Sequence, residues 1–368
     1  MSPLFHPLRV RAIEPDTAEA VIVSFDVPDE LRDVFGFTQG QYLTLRTEID
    51  GADLRRSYSI CAGVDDGELR VGVRKVAAGV FSNWINTSLQ PGDTIQVMAP
   101  QGRFFVPLDA SAQRHHVGIA GGSGITPILS IMKTVLAREP RSRFTLIYGN
   151  RHLRSTMFKE ELEDLKNRYM TRLALQHVFS DDAGGQSGDA PLSHGVMNRD
   201  KIGEFLRTVI RPERIDHVYV CGPFRMNDEA EAALLTAGVP EDRIHIERFG
   251  VAQAAQAGGT AVDAVVHEAR PGDAEVARIV IVRDGLQREI EFRRDQPSIL
   301  DAASAAGLEV PYSCTSGVCG TCRAKVVDGE VRMERNFALD RAEVAAGFVL
   351  TCQAHPVSER VVLSFDER

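Results

Sequence analysis

The chain has 368 residues, 43% hydrophobic and 25% charged, with a formal net charge of −9. That length allows two or three domains with complete cores, and the acidic balance excludes a broad nucleic-acid-binding face. No run approaches the roughly 18 apolar residues of a membrane span, and the start MSPLFHPLRVRAIEPD lacks the apolar stretch of a secretion signal, so a cytoplasmic protein is expected, with no membrane or nucleic-acid partner.

Residues 1–109 read as β structure. Strand-like runs include Ala20–Phe25, Tyr42–Arg46, Leu69–Val73 and Thr94–Val97, with turn signals at Asp50-Gly51, Asp66-Gly67 and Pro91-Gly92. In LRVGV, Leu69, Val71 and Val73 alternate with Arg70 and Gly72, which predicts one buried face. Short strands at this spacing predict an antiparallel β-barrel.

The segment RRSYS follows a strand, and its Arg-x-Tyr-Ser pattern resembles the flavin motif of the ferredoxin–NADP reductase family. The resemblance implies that Arg56 binds a phosphate through its planar fork. Tyr58 then stacks on the flavin ring, and Ser59 hydrogen-bonds its redox-active nitrogen. An exposed strand with an arginine is the plainer reading of that motif alone. A second patch, VRKVAAGVFSNWI, resembles the family's second phosphate-binding segment and brings in Val73, Arg74, Gly79 and Ser82. There Gly79 lets the chain approach a pyrophosphate, and Ser82 is expected to open a helix whose amides face the anion. This patch favours FAD over FMN. Cys61 has no partner motif and is read as core.

From residue 110 to 250 strands and helices alternate, the rhythm of an α/β domain with a parallel sheet. His115-His116 is read as a solvated loop before the first strand. AGGSGITP then forms a glycine turn between strand and helix, and Gly122, Ser123, Gly124 and Thr126 would present it to a dinucleotide pyrophosphate. Pro127 suits the first helical position. The helix PILSIMKTVLAR gathers Ile128, Leu129, Ile131, Met132, Val135 and Leu136 on one face. The next strand ends in YGNRHLRS, which offers Arg151, Arg154 and Ser155 and no acid before Glu160. An acid there would suit the ribose hydroxyls of NAD, and arginine accommodates the 2′-phosphate of NADP, so NADPH is expected. A solvated basic turn is the bland alternative.

CGPFRM, with Cys221, Gly222, Pro223 and Met226, resembles the family's Cys-Gly-Pro motif, where the cysteine sits beside the nicotinamide carbon that gives up hydride. A small buried cysteine at a strand end is the commoner case. IERFG resembles the family's Glu-x-aromatic ending. The resemblance implies that Glu247 positions nicotinamide and that Phe249 covers the flavin and yields to it. Phe249 as a core residue at a domain edge is the alternative.

Residues 251–275 are rich in Ala, Gly and Gln and read as a linker, partly ordered near Val262–Val266. The segment 276–368 opens with a hairpin signal at Asp284-Gly285 and a short helix in SILDAASAAG. Four cysteines follow. Cys314, Cys319 and Cys322 stand in CTSGVCGTC, and Cys352 lies 29 intervening residues further on. This C-x4-C-x2-C…C spacing is that of plant-type ferredoxins, whose four thiolates hold a 2Fe–2S cluster, so the segment is expected to be an α+β ferredoxin domain of β-grasp type. Gly317 and Gly320 would let the backbone wrap the cluster. A zinc site lacks the second Cys-x2-Cys pair. A dithiol at Cys319–Cys322 leaves two cysteines unexplained, and a disulfide scaffold does not suit 6 cysteines in a chain of this length.

The order of flavin barrel, nicotinamide domain, linker and ferredoxin domain resembles the electron-supplying reductases of bacterial multicomponent oxygenases. VPYSCTSGVCGTCRAKVVDGEVRMERNFAL, AGFVLTCQAHP and YGNRHLRSTMFKEELEDLKNR are most similar to reductase subunits of phenylacetyl-CoA epoxidases. The resemblance implies that a hydride, two electrons together, passes from NADPH to FAD. Single electrons then pass through the 2Fe–2S cluster to a diiron monooxygenase partner, where the substrate chemistry occurs. Reductases of ring-hydroxylating dioxygenases, desaturases or hydroxylases are the near alternatives, and a non-catalytic iron–sulfur redox sensor is the distant one.

Overall fold

The computed structural model describes residues 4–181, 191–249 and 269–367. The chain divides into two compact units, of which Pro7–Leu54 with Tyr58–Phe249 is the larger, and the second holds the C-terminal strands.

Strands β1 (His6–Thr17), β2 (Ala20–Asp26), β3 (Tyr42–Ile49), β4 (Ala52–Ser59), β5 (Leu69–Arg74) and β6 (Thr94–Val97) hydrogen-bond in the order β4-β3-β6-β1-β2-β5. An antiparallel bridge between Ile60, just past β4, and Val71 of β5 ties the outer strands together, which closes the sheet into a barrel. Leu8, Val10, Val23, Leu43, Leu45, Val71 and Ile95 fill it. Strand β1 is the one that the sequence hides. Its Pro15 is a poor strand residue, and the register against β2 shifts just there.

The single buried face predicted for β5 needs correction, because both faces are covered. A Cβ on Gly72 would stand 2.8 Å from Phe158 and 2.9 Å from Thr126, and Arg70 is buried on Glu161 at 2.5 Å. The alternating pattern failed because the second face packs on protein and Arg70 carries its own counter-charge there. After β5 comes helix α1 (Val80–Thr87).

The α/β part has five parallel strands, β7 (His115–Gly121), β8 (Arg143–Asn150), β9 (Leu173–Phe179), β10 (His217–Gly222) and β11 (Ile244–Arg248), in the order β11-β10-β7-β8-β9. Helices α2 (Ile125–Arg138), α3 (Lys159–Arg168), α4 (Arg199–Thr208) and α5 (Phe224–Thr236) connect or flank them. The chain runs outward from β7 through β8 to β9 and returns on the other side at β10. The switch point between β7 and β10 is where such sheets bind ligands, at the carboxyl ends of the strands. Pro127 is the third residue of α2 rather than its first. His115 and His116 are not solvated. They open β7, and His116 is fully buried with Nε2 2.9 Å from Glu139 Oε2. Burial drives the His116 imidazole below its usual range, so it pairs as a neutral ring.

In the second unit β12 (Val276–Arg283), β13 (Leu286–Arg293), β14 (Arg323–Asp328), β16 (Phe348–Leu350) and β18 (Arg360–Ser364) form a sheet in the order β13-β12-β18-β14-β16. Strands β15 (Val331–Met333) and β17 (Ala354–Pro356) make a separate pair. Asp284 and Gly285 both have positive φ, 52° and 70°, the tight turn that the hairpin signal predicts. Helix α6 (Ile299–Ala305) buries Ile299, Leu300, Ala302 and Ala303 in the core of this sheet, and α7 (Arg341–Ala345) precedes β16. The part of the expected linker around Val262–Val266 lies outside the described residues. Its end belongs to this unit, since Asp273 is clasped by Arg332 at 2.9 and 2.7 Å and the Ala274 amide donates to the Pro356 carbonyl.

Candidate redox sites

Glycines make the close approach at the switch point. The loop Gly121–Gly124 leaves β7 and enters α2. A Cβ on Gly124 would lie 2.0 Å from the Cys221 carbonyl oxygen and 2.7 Å from the Gly222 amide, so only glycine lets α2 begin against the end of β10. Gly122 has φ +54°, its carbonyl accepts from Tyr148 Oη at 3.0 Å, and a Cβ there would face Arg74 at 3.1 Å. Thr126 donates to the Ser123 carbonyl at 3.0 Å and closes the turn. The loop's shape is thus fixed by its own contacts.

Three residues expected to act together do meet. Cys221 and Glu247 are directly paired in the parallel register of β10 and β11. Ser59 Oγ, at the end of β4, donates to Glu247 Oε2 at 3.2 Å. Desolvation pushes the Glu247 carboxyl up to about 8, with the Ser59 hydrogen bond opposing it, so it holds a proton at neutral pH. Burial also raises the Cys221 thiol, which stays neutral. Asn227 of α5 donates to the Glu247 carbonyl at 3.1 Å, while its Oδ1 is buried with no partner among the described residues. Sequence reasoning missed Asn227, whose only signal is a polar side chain on the apolar face of α5. Phe249 is 41% exposed at the end of β11, which rules out the core reading for it. Arg248 anchors that end through Asp228 at 2.8 Å and the Phe224 ring.

The second expected phosphate patch differs in detail. Gly79 is the N-cap of α1, and Ser82 is its third residue rather than its first. Ser82 Oγ accepts from the Val76 amide at 3.1 Å, and Asn83 donates to the Gly79 and Val76 carbonyls at 2.7 and 3.0 Å. These side chains lock the loop, and the space at Gly79 is taken up by Ser82 Oγ at 2.8 Å. The first amides of α1 have no side-chain cap and remain open to an anion. Arg74 pairs with the exposed Glu19 at 3.1 Å. The Val73 side chain is in the barrel core, and its carbonyl accepts from Asn86. Tyr58 leans on Phe81, ring centroids 6.1 Å apart and 35° tilted. Arg56 is half-buried and donates to the Arg55 carbonyl at 2.7 Å. Cys61 is core, as expected.

At the end of β8, Arg151 and Arg154 are exposed and have no carboxylate partner among the described residues. Ser155 is engaged locally, donating to the His152 carbonyl at 2.8 Å and accepting from its amide at 3.2 Å. Met226 is a packing residue, 2.7 Å from the Cβ position of Gly121 and 2.4 Å from that of Gly222, and Pro223 abuts Gly121 likewise.

In the second unit Cys314, Cys319 and Cys322 lie on one irregular loop, and Cys352 follows β16. Thr315, Gly317 and Gly320 take positive φ of 53°, 81° and 71° to turn it. The sulfurs approach in two pairs, Cys314 with Cys319 and Cys322 with Cys352. The Cys319 thiol beside it holds Cys314 down to about 5. Amides of Ser316 and Cys319 point at Cys314 Sγ from 3.5 and 3.4 Å, and that of Thr321 at Cys319 Sγ from 3.5 Å. Among the described residues no three His, Cys, Asp or Glu side chains close around a single ion. Four sulfurs in two pairs, ringed by N–H donors, fit a two-iron cluster better than one zinc ion.

A closed antiparallel barrel, a parallel sheet with a glycine turn at its switch point and a third sheet carrying a three-cysteine loop with a fourth cysteine after β16 define a modular flavin and iron–sulfur oxidoreductase. Comparison with known proteins agrees. Residues 8–106 match the oxidoreductase FAD-binding domain, 119–232 the oxidoreductase NAD-binding domain, and 281–357 the 2Fe-2S iron-sulfur cluster binding domain. The chain is 42% identical to a subunit of the 1,2-phenylacetyl-CoA epoxidase of Escherichia coli (strain K12), covering 99% of this chain and 98% of that one. It is 33% identical to the ferredoxin reductase component of 3-ketosteroid-9-alpha-monooxygenase from Rhodococcus rhodochrous, over 97% and 96% of the two chains. The structure of phthalate dioxygenase reductase shares the fold, with TM-score 0.58, 24% identity and 98% of each chain covered. The chain belongs to the family of FAD, NAD and 2Fe–2S reductases that includes this 1,2-phenylacetyl-CoA epoxidase component.

Proposed function

We propose that this chain is the NADPH-dependent reductase of a cytoplasmic diiron oxygenase of the phenylacetyl-CoA epoxidase type, with modules at 1–109, 110–250 and 276–368 joined by 251–275. The observation that carries this reading is the meeting of Ser59, Cys221 and Glu247 in a molecule that also brings four cysteine sulfurs together in two pairs. When bound, FAD would supply the acceptor for one hydride, two electrons together, from nicotinamide, and the cluster a carrier for single electrons.

The chain's residues set the geometry for this. The open amides of α1, Arg74 and Arg56 would hold the flavin phosphates, and Tyr58 would lie along its ring. The Gly121–Gly124 turn would seat the nicotinamide dinucleotide pyrophosphate at the amino end of α2. Cys221 is a small neutral side chain, buried at the end of β10 beside Glu247, and would lie next to the nicotinamide ring. Glu247 is kept protonated by burial and accepts the hydrogen bond from Ser59, while Asn227 keeps the Glu247 backbone in place. Phe249, exposed just past β11, is the aromatic that would cover the flavin. Arg151 and Arg154, unmatched by any described carboxylate, support NADPH over NADH through the 2′-phosphate. Cys314, Cys319, Cys322 and Cys352 would hold the cluster, with the Ser316, Cys319 and Thr321 amides tuning its potential. The 42% identity to the epoxidase component over 99% of the chain, against 33% for the ketosteroid reductase, supports the epoxidase-type partner.

The test is an absorbance spectrum of purified protein before and after NADPH, with flavin, iron and acid-labile sulfide analysis. One FAD, two irons and two sulfides per chain, bleached by NADPH, is the expected result. Absence of sulfide after anaerobic reconstitution overturns the reading.

A further inference from the structure

The same parallel sheet has a second edge, where its strands begin. The pocket there has a volume of about 380 Å³ and is walled by the starts of β7, β8 and β9 and by the loop after α4. Seven residues of β7 separate it from the glycine turn, roughly 20 Å of extended chain. Nothing placed at one edge touches the other.

The lining includes Arg143, Lys166, Arg172, Arg211 and Arg214 and no Asp or Glu. Two of these cations have structural work. Arg172 donates to the carbonyls of Leu136, Glu139 and Ser142 where α2 ends, and Lys166 donates to those of Met170 and Leu173. Such capping of helix carboxyl ends is a usual task for basic residues. It does not account for the other three. Arg211 and Arg214 flank a single turn, are exposed, and have no carboxylate partner among the described residues. Arg143 donates to Nδ1 of His115, a buried ring that burial holds neutral at about 4 and whose Nε2 meets Thr145 Oγ1 at 2.9 Å.

Glu213 stands between Arg211 and Arg214 in the exposed turn but does not line the pocket, and two further acids near it are engaged elsewhere. Glu139 is fully buried and satisfied by Arg114, His116 and Ser142, and Asp216 accepts from the His115 amide at 2.8 Å. A concave site lined by three arginines that have no carboxylate partner among the described residues, beside two cations that cap backbone carbonyls, suits an anion.

We propose that this pocket binds an organic phosphate carrying at least two phosphate groups, such as the diphosphate of an adenine nucleotide or of a coenzyme A thioester. Its volume lies in the range of small-ligand sites. Arginines at Arg143, Arg211 and Arg214 supply the planar forks that grip phosphate oxygens in pairs. A nicotinamide dinucleotide at the carboxyl edge and a phosphate ester at this edge occupy the sheet together.

The test uses the full-length flavin- and cluster-loaded protein and isothermal calorimetry with inorganic pyrophosphate. Arg211→Ser with Arg214→Ser is expected to weaken pyrophosphate binding by about tenfold or more. Arg151→Ser with Arg154→Ser, at the opposite edge, is expected to leave it within about twofold. Raising salt from roughly 50 to 200 mM weakens the wild-type interaction. NADPH-dependent ferricyanide reduction stays at the wild-type level in the Arg211/Arg214 variant. ADP and coenzyme A are then compared with pyrophosphate. Tighter binding of ADP that is lost in the Arg211/Arg214 variant and kept in the Arg151/Arg154 variant assigns an adenosine-bearing ligand to this pocket, and a further gain with coenzyme A under the same controls assigns the thioester carrier. Pyrophosphate affinity that is equal in the wild type and the Arg211/Arg214 variant, or no saturable binding at all, overturns the proposal.

Discussion

Gly124→Ala is the most informative single change. The new methyl would stand 2.0 Å from the Cys221 carbonyl oxygen and 2.4 Å from its carbon, both backbone atoms that cannot rotate away. Ordinary carbon–oxygen contact is about 3.3 Å, so α2 and β10 must part by about 1.3 Å. Overpacking of this size costs about 1–3 kcal/mol of stability. Its larger effect is on geometry, because the methyl pries open the place where the glycine turn meets Cys221, and a misplacement of about 1 Å costs about a hundredfold in rate. The assay is kcat/KM for NADPH with ferricyanide as acceptor, beside flavin content and Tm. A loss of about hundredfold in kcat/KM with flavin retained is expected. A value within threefold of the wild type, with unchanged Tm, refutes the claim that this contact sets the site.

Glu247→Gln tests the proton at the Ser59–Glu247 pair. Its pKa is raised from 4.5 to about 8 in the folded protein, so folding takes up a proton between those values and stability is lost as pH climbs through them. The Gln variant should therefore gain stability relative to the wild type from pH 5 to 9 by thermal denaturation, while its NADPH oxidation falls at least tenfold. Cys322→Ser should leave NADPH–ferricyanide activity within about twofold and abolish cytochrome c or oxygenase reduction that passes through the cluster. Equal loss of both, with flavin bound, contradicts the division of labour. Asp273→Asn removes the clasp to Arg332. Arg332 holds Asp273 down to about 2, so its contribution is present above the usual carboxylate range and vanishes as pH falls through 2. At neutral pH the variant should lose about 1–2 kcal/mol from the unfolding transition of the C-terminal unit.

The sequence carried the chemistry further than the packing. Cysteine spacing needs only four positions and two glycines, and the glycine turn needs only a strand before and a helix after, so both were readable from local order. The pairing of Cys221 with Glu247 was not, because it depends on β11 lying beside β10 in parallel register. His115 and His116, expected in a solvated loop before the strand, are buried because Glu139 and Thr145 supply partners from distant segments. Ser82 was expected to open α1 and stands third in it, because a hydroxyl one turn into a helix reaches back to a preceding amide, here that of Val76. Strand β5 read as half-exposed because its second neighbour lies almost a hundred residues on, at Met157 and Phe158.

That second neighbour has a wider bearing. With Gly72 flush against Phe158 and Arg70 sunk onto Glu161, the wall between barrel and parallel sheet belongs to both. Cutting the chain between them would expose an apolar strand face and strand a buried guanidinium. Neither half is then a free-standing part. Swapping in a foreign nicotinamide module to change coenzyme choice would unseat the barrel, and engineered exchange has to take the two together as one cassette.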